Sequence, residues 1–493
     1  MINDDHDDLL ERSFNSVSWN ALSNSIQVVI GFLRMWLLAR WLPVEVFGKY
    51  GMVMAIIGIS GIFANFGMGG AFLNRTTETE SEQNAAETHF TLKLLFTIVW
   101  AGLLFWLSFN YFEGEKRLML NVLTITTGGV HLTQTASLIL VRRVVHRRLA
   151  LKNLISVSLS AFVAIILAWR GVTIWALLST NIVSMIVNVY MLYLWRPVWR
   201  PKLRWSWKEM RYFLTFGWQN MIAVTLLKIL NNVDDLWTGF YLGDKALGLY
   251  SRAYSFATYP RKIVAAPVNA VASGTYAELK YDRKRLSQAF FRTNALLIRA
   301  GFIFAGIFAL IAPEFIRIFL GTKWMPMLDT FRLMLVFTML DPIKITVGNL
   351  FIGLGQPKRI VSTRSIQFVV LVSGLYLLGK PLNISGVALA ADLMIVIGMG
   401  LLFMQARNYV DFSMKKLFFV PVLALILGMG VARISLLLPY ILGNDWRTLL
   451  IKIGIFLPIY GVVLFVFEKE STLRIVKPLW KRMHSYFSDK IVT

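Results

Sequence analysis

Residues 39–52, ARWLPVEVFGKYGM, recur in divergent form at residues 239–252, GFYLGDKALGLYSR. At the common offset of 200 positions, the matched pairs are Leu42 with Leu242, Phe47 with Leu247, Gly48 with Gly248 and Tyr50 with Tyr250. The same offset places Asn20 on Asn220 and Arg34 on Asp234. Because all of these pairs keep one offset, the stretch indicates an internal duplication of the chain.

Each copy of the motif follows a long apolar segment, and fourteen such segments can be placed along the chain. They lie at residues 14–39, 50–73, 93–112, 118–140, 152–169, 173–195, 212–241, 249–275, 288–311, 327–353, 360–378, 384–405, 417–438 and 448–467. A bilayer core needs about 20 mostly apolar residues per helix. The sequence therefore predicts an all-α integral membrane protein of about 14 transmembrane helices. The first and seventh cross in the same direction, which is typical of parallel transporter repeats.

The composition excludes several classes of protein. Hydrophobic residues make up 56% of the 493 residues and charged residues 16%, against about 45–50% and about 25% in soluble chains. This excludes a soluble enzyme and a disordered chain, and the absence of Cys excludes disulfides and thiol chemistry. No HExxH, Walker A or GxSxG motif is present. We therefore expect neither catalysis nor a cofactor, and the sequence leaves metal binding open.

Lysine and arginine set the predicted orientation. With the N-terminus inside, the inner stretches carry roughly three times as many cations as the outer loops, so both termini are predicted to be cytoplasmic. The acidic start, MINDDHDDLLER, does not resemble a cleaved signal peptide. The bias accounts for most of the net charge of +24. No nucleic-acid partner is expected, and the Arg/Trp-rich loop at 195–211 is interpreted as resting on anionic headgroups.

Two predicted helices carry a polar face. Helix 1 places Asn20, Asn24, Gln27, Gly31 and Arg34 on one side, and helix 7 repeats the pattern with Asn220, Lys228, Asn231 and Asp235, beside Asn232 and Asp234. Such a face lines either a wet cavity or a polar seam between helices. The charges at its ends favour the cavity.

Charged residues inside the apolar segments are mostly cations. They are Arg34, Lys228, Arg261, Lys262, Arg299, Arg332, Lys344, Arg433 and Lys452, against Asp234, Asp235, Asp341 and Asp392. A charge at bilayer depth costs at least about 2.5–3.5 kcal/mol and normally faces water or a partner. Snorkelling to the interface is the alternative for Arg332, Arg433 and Lys452. The excess of cations predicts a cavity that holds an anion.

Five motifs, in this order, resemble one known family. They are LLARWLPVEVFGKYG (37–51), NFGMGGAFLNR (65–75), WRPKLRWSW (199–207), LGLYSRAYSFATYPRKIVAAPVNAV (247–271) and FLGTKWMPML (319–328). The chain resembles the Wzx-type lipid-linked oligosaccharide flippases, the polysaccharide transporter branch of the multidrug/oligosaccharidyl-lipid/polysaccharide (MOP) exporter superfamily. Asn65 and Asn74 replace the usual acid and Gln of the second motif.

This resemblance implies two pseudo-symmetric six-helix lobes around a central cavity. The N-lobe spans 1–195, a cytoplasmic linker 196–211, the C-lobe 212–405, helices 13 and 14 span 417–467, and a basic tail spans 468–493. It also implies an undecaprenyl-pyrophosphate-linked repeat unit as substrate and ion-coupled alternating access in the cytoplasmic membrane. A polysaccharide polymerase and a chain-length regulator are the implied protein partners.

The predicted site follows from the polar face and the intramembrane charges. Substrate binding is assigned to Arg34, Lys228, Arg261, Lys262, Arg299, Asn20, Asn24, Gln27 and Asn231, and gating or ion coupling to Asp234, Asp235 and Asp392. Arg34 and Asp234, which are equivalent in the repeat, are predicted to pair when the outer side closes. Two alternatives remain: a multidrug exporter of the same superfamily, which needs an acidic cavity, and a non-transporting scaffold, for which cavity charges do not matter.

Overall fold

The computed structural model describes residues 23–75, 82–143, 145–434 and 445–491, and all regular structure in these ranges is helical. The helices are α1 (23–41), α2 (Val44–Asn65), α3 (Met68–Asn74), α4 (Glu82–Tyr111), α5 (Gly114–Leu132), α6 (Gln134–Arg142), α7 (His146–Trp169), α8 (Thr173–Val189), α9 (Trp207–Leu230), α10 (Val233–Tyr241), α11 (Asp244–Ala257), α12 (Ala266–Glu278), α13 (Arg283–Phe315), α14 (Leu328–Leu333), α15 (Leu335–Gly353), α16 (Pro357–Gly374), α17 (Lys380–Ala406), α18 (Met414–Ile434) and α19 (Asp445–Ile491).

The all-α membrane fold predicted from the sequence is confirmed. Among the described residues, nine helices are long and apolar enough to cross a bilayer. Each of the fourteen predicted segments overlaps helical residues, but the count of fourteen spans stays a prediction. Several segments are divided by a short break, for example at Phe66 and Gly67, which both have positive φ, and at Asn231 and Asn232, between α9 and α10.

The chain forms two compact units. Unit 1 contains the described residues up to Ala253 together with Val361–Met394. Unit 2 contains Tyr254–Ile360 together with the described residues from Ile395 onward. These units are defined by contacts, whereas the predicted lobes follow the family pattern, and the lobe boundaries stay a prediction.

The duplicated motif packs against itself within unit 1. A Cβ atom at Gly48 would lie 1.7 Å from the backbone oxygen of Asp244, and a Cβ atom at Gly248 would lie 2.2 Å from the backbone oxygen of Val44. The two contacts are related by the same offset of 200 as the sequence repeat. The first turns of α2 and α11 therefore cross at a distance that only glycine permits at both points.

Unit 1 also contains the linker at residues 196–211, which the sequence predicts to lie on the lipid headgroups. The backbone amide of Arg204 donates to Thr91 Oγ1 at 3.0 Å, and the Trp199 ring meets the Phe90 ring edge to face. Trp205 and Trp207 remain 65% and 71% exposed. The linker is thus packed on α4 along one side and offers aromatic rings along the other.

Candidate functional site

A buried lysine stands at the centre of the polar network in unit 1. Lys93 lies in α4, about three turns after Glu82, and has a relative exposure of 0%. Its ammonium group donates to Asn65 Oδ1 and to the carbonyl oxygen of Ala64, the latter at 3.3 Å. Within the described ranges it forms no ion pair with a carboxylate. Amide and carbonyl oxygens accept from two of its three N–H donors and do not neutralise an ammonium charge, so the site favours an anion.

The network continues through His131 towards one of the predicted cations. Asn65 Nδ2 lies 3.4 Å from His131 Nε2, and His131 is close enough to both Lys93 and Lys228 to interact with their charges. Lys228 is exposed near the end of α9. The two lysines and the imidazole therefore form one basic region, in which Lys93 is buried and Lys228 is exposed.

The break between α9 and α10 adds amide groups to this region. Asn232 Nδ2 donates to the carbonyl oxygen of Lys228 at 2.7 Å. Its Oδ1 lies so close to Gly58 of α2 that a Cβ atom there would be only 2.9 Å away. The predicted binding residue Asn231 is exposed at the same break. Lys228, Asn231 and Asn232, which the sequence pattern placed on or beside one helix face, thus lie at a break between two helices, whereas the pattern expected one continuous helix.

The predicted acids lie just beyond this break, at the start of α10. Asp234 is 8% exposed and accepts a hydrogen bond from Tyr250 Oη at 2.6 Å. Arg252 interacts electrostatically with Asp235, Tyr50 and Arg34. Arg34 and the acids at the start of α10 therefore belong to a cluster of acidic and basic side chains, in which Arg252 is the second arginine. The pairing of Arg34 with Asp234 itself stays a prediction.

The remaining predicted residues of unit 1 have separate surroundings. Gln27 Nε2 donates to Ser23 Oγ at 2.8 Å, and Asn24 is exposed on the same helix. Asp392 is 7% exposed, and its Oδ1 has no hydrogen-bond partner among the described residues. Asn20 lies outside the described residues.

The cations predicted in the second half belong to unit 2, where two of them are held by acids. Arg261 pairs with Asp341, which also binds Lys344 at 2.9 Å. Arg299 is 8% exposed, and its Nε donates to Glu468 at 2.7 Å.

Two further cations of that half, Lys262 and Lys452, differ from each other. Lys262 is exposed, with its ammonium group 4.8 Å from the centre of the Tyr259 ring. Lys452 is buried and lies 2.9 Å from both carboxylate oxygens of Glu314. Lys452 is therefore held in an ion pair and does not snorkel.

Two basic residues of the network were not among the predicted site residues. Lys93 falls on the first position of a predicted apolar segment, where it resembles a residue at the membrane surface. Arg252 lies two residues after the repeated Tyr250, and that repeat was the only signal that pointed to it. Across the part of the chain that the structure describes, no group of three or more His, Asp or Glu could hold a metal ion.

The fold and this site define the class of the protein. A multi-pass helical chain, with a basic and amide-lined network inside its apolar helices, has the architecture of a membrane transporter. Residues 37–329, more than half of the chain, match a family described as polysaccharide biosynthesis proteins. The chain belongs to this family.

Curated relatives agree with this assignment. The succinoglycan biosynthesis transport protein ExoT of Rhizobium meliloti (strain 1021) is 26% identical over 318 residues, which span 63% of each chain. The chain thus spans just under two thirds of that relative's length. The lipopolysaccharide biosynthesis protein WzxC of Escherichia coli (strain K12) is 23% identical over 362 residues, 70% of each chain.

Solved structures share the fold. The lipid II flippase MurJ in an inward closed conformation superposes with a TM-score of 0.76 at 16% identity, covering 92% of this chain and 99% of that one. An inward-facing multidrug resistance transporter of the MATE family, in the MOP superfamily, gives 0.61 at 15% identity, covering 79% of this chain and 98% of that one. Together with the family match, these findings confirm the resemblance to the Wzx-type branch of the MOP superfamily.

Proposed function

We propose that this protein is a flippase that carries a polyprenyl-pyrophosphate-linked oligosaccharide across the cytoplasmic membrane during cell-surface polysaccharide biosynthesis. The observation that carries the proposal is the basic network of Lys93, His131 and Lys228 within the helices of unit 1. The transport and biosynthesis names of ExoT and WzxC support the substrate class. A multidrug exporter that carries cations would need an acidic cavity, whereas this network is basic.

The chemistry of the network suits a pyrophosphate group. Phosphate oxygens accept strong charge-assisted hydrogen bonds from ammonium donors. Lys93 supplies a fixed charge, and the exposed Lys228 supplies one that follows the substrate. Amides such as Asn231, Asn24 and Gln27 serve as hydrogen-bond partners for the sugar hydroxyls, and so does Asn20, which the sequence pattern alone groups with Asn24 and Gln27. Arg34 of unit 1, and Arg261, Lys262 and Arg299 of unit 2, stay predicted substrate contacts.

We assign the coupling of transport to an ion gradient to the acids of unit 1. Among the residues that the structure describes, Oδ1 of Asp392 and Oδ1 of Asp234 are buried and have no hydrogen-bond partner. Such an oxygen is unfavourable in an apolar surrounding unless it binds a proton or a cation. Asp235, which interacts with Arg252, links this chemistry to the basic residues. A polysaccharide polymerase and a chain-length regulator are the proposed protein partners.

The proposal is tested by replacing Lys93 with methionine. Purified protein is reconstituted in liposomes with a fluorescent polyprenyl-diphosphate glycan, and membrane-impermeant dithionite reports the label that reaches the outer leaflet. Lys93→Met removes the charge and keeps the side-chain length, so we expect flipping to fall at least about tenfold, the loss of one charge-assisted hydrogen bond.

Lys152→Met is the matched control. Lys152 is also a buried lysine of unit 1, and it donates to an asparagine, Asn188 Oδ1, at 2.7 Å. It is not part of the network around His131. Lys152→Met is expected to keep flipping activity. If both variants flip at the wild-type rate while they are correctly inserted, the network does not bind the substrate.

A further inference from the structure

Unit 2 contains a cavity of about 920 Å³ between the first turns of α13 and the start of α18. Its polar lining includes Ser287, Gln288, Arg292, Ser413 and Lys416. Gln288, Arg292, Ala295 and Arg299 follow one another at helical spacing, so one face of α13 forms a wall of the cavity. None of Ser287, Arg292 and Lys416 belongs to the proposed substrate-binding set.

The ion pairs around the cavity leave two of its cations without an acid. The one lining acid, Asp411, is held by Arg283, whose Nε and Nη2 donate to its two oxygens at 3.0 and 2.7 Å. Arg299, at the deep end, is held by Glu468. Arg292 and Lys416 are exposed, and within the described ranges neither has an ion-pair partner. The cavity therefore carries a net positive charge at its mouth.

The other walls of the cavity are apolar. Phe291, Ala295 and Phe412 line it. Beyond Lys416, α18 continues with Val420, Leu423 and Leu427 on the same side of the helix, and Leu427 is 42% exposed. A ligand held by Arg292 and Lys416 thus has an apolar helix face leading away from its anionic end. This arrangement suits an amphiphile better than a free anion.

We propose that this cavity binds the phosphate of an anionic phospholipid, with Arg292 and Lys416 contacting the phosphate oxygens and the acyl chains lying along α18. The two cations come from different helices, so a bound headgroup joins α13 to α18. Hydroxyls of Ser287 and Ser413 lie at the same cavity and suit the glycerol part of a headgroup. Arg299, which also lines the cavity, is shared with the predicted substrate contacts, but Arg292 and Lys416 are not, so the two proposals can be tested separately.

The test compares two double variants of the full-length protein. Arg292→Gln with Lys416→Gln removes both cavity cations. Lys284→Gln with Lys415→Gln removes the same charge from the same two helices, at exposed residues that do not line the cavity. Each protein is placed in phosphatidylcholine nanodiscs with and without phosphatidylglycerol, and thermal midpoint and retained phosphatidylglycerol are measured.

We expect phosphatidylglycerol to raise the midpoint of the wild type and of the control variant, and the cavity variant to lose both the shift and at least about tenfold of the retained lipid. Equal losses in the two double variants would show that only bulk surface charge matters, and the proposal would be wrong. If inorganic phosphate gives the wild type the same shift as the lipid, the ligand is a free anion and the lipid assignment is overturned.

A last comparison separates this site from the transport site. The cavity variant is expected to flip the labelled glycan normally in liposomes without phosphatidylglycerol. If it fails there, or if undecaprenyl pyrophosphate displaces the retained lipid, the cavity belongs to the substrate and the inference is overturned. Loss of flipping in Lys93→Met, by contrast, concerns only the proposed function.

Discussion

The ion pair between Arg75 and Glu209 connects the end of α3 with the first turn of α9. The two charged groups lie 2.6 Å apart, and each side chain is 5% exposed. Removing one partner of such a pair leaves a buried charge and costs about 3–5 kcal/mol. We expect Glu209→Gln and Arg75→Met each to lower the thermal midpoint strongly, measured with the purified protein in detergent.

An exposed pair of the same length provides the control. Lys49 and Glu115 also lie 2.6 Å apart, but their side chains are 28% and 47% exposed. Lys49→Met is expected to cost at most about 1 kcal/mol. The double variant Arg75→Met with Glu209→Met leaves no unpaired charge and should be more stable than either single variant. A double variant that loses the sum of the two single effects would contradict the pairing.

At the level of single residues, the sequence could predict only part of the site. Lys228, Asn231 and the acids at 234 and 235 were assigned to it because each breaks the apolar pattern inside a segment, and these assignments stay predictions. Lys93 was missed because hydropathy marks only the part of a helix that crosses the bilayer core, and Lys93 is the first residue of that part. The helix α4 itself begins eleven residues earlier, at Glu82, so Lys93 lies well inside the helix. Which cations are held by acids depends on contacts between distant segments, as for Arg299 and Glu468, and these cannot be derived from spacing.

The crossing of α2 and α11 is a property of two elements and not of one side chain. Gly48→Ala would place a methyl group on the backbone oxygen of Asp244, and Gly248→Ala would place one on that of Val44. Backbone atoms cannot yield without moving a helix, so we expect each substitution to cost at least about 1–3 kcal/mol. The thermal midpoint of the purified protein measures this loss.

Gly51, which lies in α2 with Gly48, provides the control. Its alanine variant distinguishes an effect of close packing from an effect of lost helix flexibility. At Gly51 a Cβ atom would lie 3.7 Å from its nearest neighbour, an atom of the Leu247 side chain, which is an ordinary contact. Gly51→Ala should therefore be neutral or slightly stabilising, because alanine favours a helix. Equal behaviour of the three alanine variants would mean that the crossing of α2 and α11 does not need glycine.

For whole elements the sequence was more informative than for residues. The fourteen apolar segments all overlap helices because burying backbone polar groups in a bilayer requires internal hydrogen bonds. Their internal breaks were not predicted. Phe66 adopts a left-handed conformation that is unusual for a non-glycine residue, and Gly67 continues it, so α2 and α3 separate where hydropathy is uniform.

Across the molecule, ion pairs join loops that the topology places on the same side of the membrane. In unit 1, Arg143 bonds Glu82 at 3.2 Å among the loops predicted to be inside, and Lys116 bonds Asp244 at 2.7 Å among those predicted to be outside.

Unit 2 shows the same separation. Arg283 bonds Asp411, both in predicted inner stretches. Arg317 bonds Asp445 at 2.7 Å, and both belong to the outer set. The alternation of the segments thus agrees with the contacts in each unit, whereas the side that faces the cytoplasm rests on the cation bias alone.

That orientation can be tested directly because the chain contains no cysteine. Tyr281→Cys lies in a predicted inner loop at a position that is 89% exposed, and Lys245→Cys lies at an exposed position predicted to be outside. A membrane-impermeant maleimide should label Lys245→Cys in intact cells or spheroplasts, and Tyr281→Cys only after permeabilisation. Arg204→Cys should behave like Tyr281→Cys. The reverse pattern would invert the orientation, and the proposed direction of glycan transport would then be wrong even if the basic network binds the substrate.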